Sequence, residues 1–408
     1  MRFSCKEGVL LVVLLCGAVI VAADDGLQPV LRVGTSGDYR PFSFRELDGT
    51  PSGFDIAVAQ RLTSDLDRRL TFVPLRWPVL VQQLQTGAFD IAMSGVTVRA
   101  DRAVHMMFSR PYAVTGAVAV VRVEKKPRFR RLRDLDHAGV RLGVNAGGHL
   151  EQVARADFPH AQLIPVADNT ALPGMLRERA ADAVISEELE ARTWSSADLH
   201  VLGRFTRDRK AYALPLAAAD LLAKLDDWLA AREADGWLNE RRQWFGAGAT
   251  VTPRQAAFEA LVNAMDLRLQ LMPVVAAVKR RDGIPIEDPA QETRVLDRVR
   301  AQAVSAGLNG DDVAQVFRIQ IEAAKAVERA AVAHGQPDGS LTDLRAVLAT
   351  LSEQIIRELA RCRPWLRDRD GRVRFEATVR LGLATPGLTR ARVRALVAAI
   401  HRVRLAPR

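Results

Sequence analysis

Cysteine, tyrosine and like-charge runs are all scarce in this chain. Among 408 residues there are three cysteines and three tyrosines, and aromatics total 6%. Cys5 and Cys16 lie in the apolar N-terminal stretch, so a chain that loses that stretch keeps only Cys362 and closes no internal disulfide. No Cys/His grouping has metal-ligand spacing, which argues against a structural zinc site. No metal, nucleotide or redox cofactor is expected. The net charge is +10, but basic residues are interspersed with acids, and few aromatics are present to stack on bases. Nucleic acid is therefore not the expected partner, and a basic protein handling small anions fits better.

The one long apolar run is "VLLVVLLCGAVIVAA", preceded by Arg2 and Lys6. Val21 and Ala23 sit at −3 and −1 of a cut before Asp24, so residues 1–23 read as a signal peptide, with a transmembrane anchor as the alternative. Leu15 is too bulky for lipoprotein processing at Cys16. The expectation is a periplasmic or secreted protein with no stable membrane anchor after cleavage.

Two grammars follow. Between Leu31 and Phe245, short β-type runs ("LRVGT", "LTFVPL", "AVAVVRV", "VRLGVNAG") alternate with amphipathic helical stretches, which predicts an α/β fold with parallel strands over 27–246. Residues 247–252 read as a linker. Thr252, Pro253 and Gln255 form an N-cap, a first helical residue and a capping box. Beyond them the spacing becomes helical over 253–281, 289–306, 311–334, 341–361 and about 389–403, with breaks at "DGIP", "GLNG", "GQPDGS" and "ATPG". Residues 253–408 are expected to be all-α.

The series "TSGDYRPFSF", "RWPVLVQQL", "FDIAMSGVTV", "VNAGG" and "SEELEAR" resembles the type II periplasmic solute-binding proteins, and within them the cyclohexadienyl (prephenate or arogenate) dehydratases. The resemblance implies a two-lobed fold with the ligand in the cleft. It implies that Arg102 grips the α-carboxylate, since a planar two-pronged cation pairs both oxygens. A surface ion pair is the alternative. Ser94 and Thr97 would add donors. Tyr39, Phe42 and Trp77 would wall the ring or simply pack in the core. Asn145, Gly147 and Gly148 match a second-lobe loop that closes on the ligand. His149 stands where the family usually has threonine, which allows a changed hydrogen bond or a pH-dependent contact.

In "SEELEAR", Ser186 can cap a helix, and first-turn carboxylates at Glu187 and Glu188 suit its dipole. In transport proteins the acid at position 187 holds the ligand's ammonium, a role open to Glu187. Glu190 matches the dehydratases' general acid. A helix N-terminus lowers a carboxyl pKa while a general acid must stay protonated, so Glu190 serves only if desolvation and acidic neighbours outweigh the dipole.

The stretch "LVNAMDLRLQLMPVVAAVKRRDGIPIEDPAQETRVLDRV…VFRIQIEAAKAVE" resembles the exported all-α chorismate mutases over residues 255–330. Arg268 and Lys279, eleven residues apart, return to within about 20° of one helix face, which suits a dianion or else an ion-paired couple. The resemblance makes Lys279 and Glu328 the catalytic pair at the ether oxygen, Glu328 protonated or paired with Lys279. Asp288 also reads as an N-cap. Gln291 and Glu292 occupy the substrate-binding positions where the family has Arg-Glu, so one cation is missing. Gln291 fits a capping box with Asp288, and Arg294 is a substitute cation. Ala324 replaces a hydroxyl residue, and Gln354 stands near an expected arginine, with Arg357 three residues on.

Together the resemblances imply an exported bifunctional enzyme acting on chorismate and then on prephenate or arogenate, with a homodimer through the helical domain implied by the family. The rival is an amino-acid receptor fused to a degenerate helical domain.

Overall fold

A computed structural model of the chain describes residues 28–194, 196–331, 339–383 and 385–406. The expected signal peptide with Cys5 and Cys16, and most of the "GQPDGS" break, lie outside the described residues.

The α/β part forms two lobes. In the first, the sheet order is Arg69–Pro74, Val30–Thr35, Ile91–Ala92, Ala213–Pro215, Met106–Phe108. In the second it is Gln162–Val166, Arg141–Asn145, Ala183–Glu187, Ala117–Arg122, Leu199–Arg204. The sheets are mixed rather than parallel. Ala213–Pro215 runs antiparallel to both neighbours in the first lobe, as Ala117–Arg122 does in the second. The reason is topological: the chain crosses from lobe to lobe and returns, so each sheet receives a strand from the opposite direction. The two crossings pair as an antiparallel ribbon, Ala113–Thr115 against Asp208–Lys210.

The helix Pro253–Gln270 starts as expected, with Thr252 and Gln255 in a reciprocal capping box and Pro253 in the first turn. A hitch at Leu271, next to Pro273, divides it from Met272–Arg281. Pro289–Ser305, Gly310–Ala330, Leu341–Cys362 and Arg390–Arg402 follow. The helix Arg369–Gly382 was not expected, because Gly371 and exposed Val373 break its apolar spacing. Its N-cap Asp368 accepts from Gly371 N at 2.6 Å, and buried Phe375 and Val379 anchor it. The 29-residue apolar stretch Pro253–Arg281 is long enough to cross a membrane, but it is mostly buried as the core of the helical domain.

One apolar core runs from the first lobe (Leu84, Phe89, Val96, Val104) into the helical domain (Phe258, Leu261, Met265, Ile355). Polar contacts reinforce the junction. Arg209 on the crossing ribbon donates to Gly382 O at 3.0 Å, and Arg207 pairs with Glu259 at 2.5 Å. Cys362 is free and buried in the helical core, where burial raises its thiol pKa.

Candidate functional sites

In the cleft between the lobes a cavity of about 40 Å³ is lined by Tyr39, Trp77, Gly95, Thr97, Arg102, Asn145, Gly148, His149, Leu150, Asn169 and Lys210. That holds no more than a few waters, so the lobes leave no room here for a ring-sized ligand. Glycine permits the closure. Gly147 has φ +69°, and a Cβ there would lie 2.8 Å from Pro78 Cα of the other lobe. Gly95, at φ +64°, passes so close beneath the Tyr39 ring that a Cβ would sit 2.6 Å from Cε1.

The cavity gathers Tyr39, Trp77, Thr97, Arg102, Asn145 and Gly148, as expected from sequence. Tyr39 and Trp77 meet edge to face at 6.1 Å. The guanidinium of Arg102 is buried with no hydrogen-bond partner among the described residues, and burial lowers its pKa to about 10. A guanidinium in that condition is an open anion receptor. Asn145 Nδ2 and Asn169 Oδ1 are likewise buried and unpartnered. His149 Nε2 lies 3.0 Å from Asp208 Oδ2.

Three expectations are corrected, those for Ser94, Glu187 and the Ser186 cap, and Phe42 takes the core-packing one of its two readings. Ser94 is not on the cavity wall: its Oγ accepts from Ser36 N at 3.1 Å and holds the Ser36 loop in place. Phe42 is fully buried among Tyr39, Phe54 and Tyr112, so it packs the core. Glu187 also faces inward. Its Oε1 accepts from Thr115 Oγ1 and from Gly116 N at 3.3 Å, and its Oε2 accepts from Leu189 N at 3.0 Å. Glu187, rather than Ser186, is the N-cap of the helix Glu188–Thr193: it ends the strand, and its carboxylate accepts from Leu189 N. Burial pushes Glu187 up to about 7 against the field of Lys210. Glu188 stays in solvent-side ion pairs with Arg192 and Arg204.

Glu190 is 3% exposed. Ser186 Oγ donates to its Oε2 at 2.7 Å, and Asn169 Nδ2 donates to its Oε1. Burial, aided by the charges of Glu187 and Asp38, holds its pKa well above the usual carboxylate range, although Ser186 and Lys210 act in the opposite sense. The helix-terminus conflict is thus decided by desolvation. Asn169, which sequence reasoning missed, joins Glu190 to the cavity wall.

Lys210 was missed as well. It is 2% exposed, and its Nζ donates to Thr97 Oγ1 at 2.9 Å and Tyr39 Oη at 3.1 Å. A signal was present in "DRKAYALP": a lysine heading a buried apolar strand must be satisfied inside the protein.

The helical domain holds a second cavity of about 440 Å³, whose walls include Arg268, Lys279, Asp288, Gln291, Glu292, Arg298, Ala324, Lys325, Glu328, Arg345 and Ser352. Arg268 and Lys279 both reach it despite the hitch at Leu271. Arg268 Nε has no partner, and burial brings its pKa to about 10. Lys279 Nζ donates to Glu328 Oε2 at 2.8 Å and to Ile286 O at 3.0 Å. Burial raises the Glu328 pKa even with Lys279 beside it. Glu292 is paired with Lys325 at 3.3 Å.

Asp288 caps Pro289–Ser305 by accepting from Gln291 N at 3.0 Å, but the other half of the expected capping box is absent. Gln291 Oε1 instead accepts from Arg294 Nε at 3.0 Å, and Arg294 lies exposed outside the cavity wall. The additional cations on the wall are Arg298, Lys325 and Arg345, the last 3.1 Å from Asp288 Oδ2. Arg345 is one helical turn from Leu341, on the face that lines the cavity, a relation that periodicity carries and motif offset does not. Gln354 and Arg357 are not on the wall. Gln354 points to the first lobe, and Arg357 lies 3.9 Å from Glu353.

Residues 31–247 match the family model for bacterial extracellular solute-binding proteins, family 3, and residues 259–329 match chorismate mutase type II. Cyclohexadienyl dehydratase of Pseudomonas aeruginosa is 36% identical over 219 residues, 52% of this chain and 81% of that protein. A secreted chorismate mutase of Yersinia pestis is 36% identical over 149 residues, 34% of this chain and 77% of its own. The L-cystine-binding protein TcyJ of Escherichia coli is 29% identical over 255 residues, 60% of this chain and 95% of its own. The crystal structure of an ancestral amino acid-binding protein, a precursor of cyclohexadienyl dehydratase, superimposes with a TM-score of 0.52 at 30% identity, covering 53% of this chain and 95% of that one. The chain therefore belongs to the bacterial extracellular solute-binding proteins of family 3, as a cyclohexadienyl dehydratase homologue that carries a type II chorismate mutase domain.

Proposed function

We propose that the chain is an exported bifunctional enzyme. The helical domain converts chorismate to prephenate, and the two-lobed domain converts prephenate to phenylpyruvate, with arogenate to phenylalanine as a side activity. The observation that carries the reading is Glu190: a buried carboxyl with a raised pKa, bonded to Asn169, which lines the same cavity as Arg102. A transport receptor has no need of a proton donor there.

In the first reaction the ether C–O bond breaks as the new C–C bond forms, and no proton moves. The domain has to hold the compact dianion and stabilise the charge growing on the ether oxygen. Arg268 is an open cation for a carboxylate, and Arg345 stands in for the arginine that Gln291 replaces. Lys279, and Glu328 while it holds a proton, are the donors toward the ether oxygen. A cavity of about 440 Å³ suits a ligand of this size.

In the second reaction Glu190 gives its proton to the C4 hydroxyl, which leaves as water. The bond from the ring to its carboxylate breaks, CO₂ departs, and the electron pair completes the aromatic ring. Glu190 is left as a carboxylate and recovers its proton from solvent when the lobes open. Arg102 holds the side-chain carboxylate. The closed volume of about 40 Å³ requires the lobes to part for substrate entry, and the hinge is the ribbon of Ala113–Thr115 and Asp208–Lys210.

The test is to feed the purified chain chorismate and, separately, prephenate. Phenylpyruvate, read by its alkaline absorbance, is expected from both. Tight amino-acid binding with no turnover of either substrate supports the receptor instead and removes the enzyme reading.

A further inference from the structure

The crossing strand Asp208–Lys210 has two faces, and each serves a different domain. Side chains alternate along a strand, so 208 and 210 point one way while 207 and 209 point the other. On the cleft side Lys210 lines the cavity, and Asp208 lies 3.0 Å from His149 of the second lobe. On the opposite side Arg207 and Arg209 reach the helical domain. Arg209 is buried there: its Nη2 donates to Gly382 O at 3.0 Å, its Nε lies 3.5 Å from Glu259 Oε2, and its Nη1 lies 3.7 Å from Asp266 Oδ2. Arg207 pairs with the other oxygen of Glu259 at 2.5 Å.

The helical domain grips the first lobe and the hinge, and leaves the second lobe alone. Among the described residues, the apolar core that joins the domains contains first-lobe residues together with Ala211 and Ala213, but none from 117 to 205. Opening the cleft therefore swings the second lobe against the first lobe and the helical domain together. A buried guanidinium is costly to leave unpaired, so the contacts of Arg209 fix the strand in place. The fit is tight from the helical side as well, since a Cβ on Gly382 would lie 2.2 Å from Arg209 Nη2. Along the strand, Val98 N donates to Arg209 O and Tyr112 N to Lys210 O, each at 2.9 Å. A displaced Arg209 thus shifts Asp208 and Lys210, its direct neighbours in the chain.

We propose that Arg209 is a positioning residue for the prephenate reaction and acts across the domain boundary. Anchored to Gly382, Glu259 and Asp266, it sets the strand that presents Asp208 and Lys210 to the cleft. This rests on the dehydratase reading above and deepens it: turnover in the cleft depends on residues of the other domain. None of the anchor residues lines the cleft cavity or the chorismate cavity.

The anchor can be broken in the full chain without touching the two-lobed sequence. Gly382→Ala pushes the guanidinium aside, and Glu259→Gln removes its counter-charge. Each should lower kcat for prephenate by on the order of tenfold or more, because small misplacements near reacting atoms are amplified in rate. Both kinetic parameters for chorismate should stay as in the wild type. Arg209→Met should behave alike, and Arg209→Lys, which keeps a cation between Glu259 and Asp266, should recover most of the loss.

A second measurement needs no chemistry. Hydrogen exchange at the Val98 and Tyr112 amides should quicken in Gly382→Ala and Glu259→Gln, while the second-lobe strand Arg141–Asn145 keeps its wild-type rates. An unchanged prephenate kcat in the folded variants, an equal fall in chorismate turnover, or unchanged exchange at Val98 and Tyr112 overturns the proposal. A wild-type chain inactive on prephenate removes the dehydratase reading instead, and the exchange rates then decide whether the anchor sets the strand. Should Arg209→Met fail to fold, the two helical-side variants decide.

Discussion

Gln354 Nε2, on the helical domain, donates a 2.9 Å hydrogen bond to Asp226 Oδ2 of the first lobe. Its second proton goes to Phe108 O, also at 2.9 Å. Close by, Arg110 Nη1 lies 3.5 Å from Glu358 Oε1, so a buried polar seam ties the two domains together. Gln354→Leu leaves the Phe108 carbonyl and the Asp226 oxygen without this donor. The expected cost is about 1–3 kcal/mol of stability. Thermal melts check this, and because Gln354 is off the helical cavity, KM for chorismate should not move.

Glu190→Gln keeps the shape and removes the proton. The prephenate step should fall by roughly 10²–10⁴-fold, the range for losing a general acid. Chorismate consumption should continue and prephenate accumulate. An undiminished prephenate rate would take Glu190 out of the mechanism.

Glu328 is a donor to the ether oxygen only while protonated, and its pKa is raised by burial. Chorismate turnover should therefore decline as pH rises through that pKa. Glu328→Gln, whose amide donates at any pH, should flatten the profile. A wild-type profile already flat into the alkaline range contradicts this role. Lys279→Ala should stop chorismate consumption and spare prephenate turnover.

Arg345 supplies a cation at the helical cavity, whereas Arg294 lies outside its wall. Arg345→Ala should raise KM for chorismate by on the order of tenfold or more, since a charge-assisted contact to a carboxylate is lost. Arg294→Ala should leave KM unchanged. Steady-state kinetics on the two variants separate them, and the reverse pattern would restore Arg294 as the substitute cation.

Burial lifts Asp55 and Glu187 to about 7 and Asp226 to about 6, above the usual carboxylate range. From that range up to about 7 the folded chain holds protons that the unfolded chain has released. Stability therefore falls as pH rises through this window. Asp101, Asp182 and Asp208 are lowered and act oppositely, losing stability only below the usual range. The melting temperature should be higher near pH 5 than near pH 7.5. Scans across that interval check it, and a melting temperature rising toward pH 7.5 would count against the assignment.

Much of this molecule was legible in one dimension wherever a local rule was also the whole rule. The capping box at Thr252–Gln255 and the cap at Asp288 follow from short-range geometry and stand as read. Arg102, Thr97, Tyr39 and Trp77 came from the family resemblance and do converge on one cavity. Arg369–Gly382 was missed because its anchors, Phe375 and Val379, are defined by what they pack against.

The sequence by itself determined the α/β half followed by an all-α half and the helix starts, because these rest on periodicity and caps, while the residues at both cavities came from the family resemblances its motifs carry. Tertiary structure alone decided what each charge does. "SEELEAR" contains three glutamates with similar local claims. Only the fold turns Glu187 into the hinge, leaves Glu188 to surface arginines, and buries Glu190 against Ser186 and Asn169. It also brings Lys210, far along the chain, beneath Tyr39 and Thr97. The reason is physical. A carboxyl's proton affinity and an ammonium's partner depend on desolvation and on charges distant in sequence, and neither exists until the chain has folded.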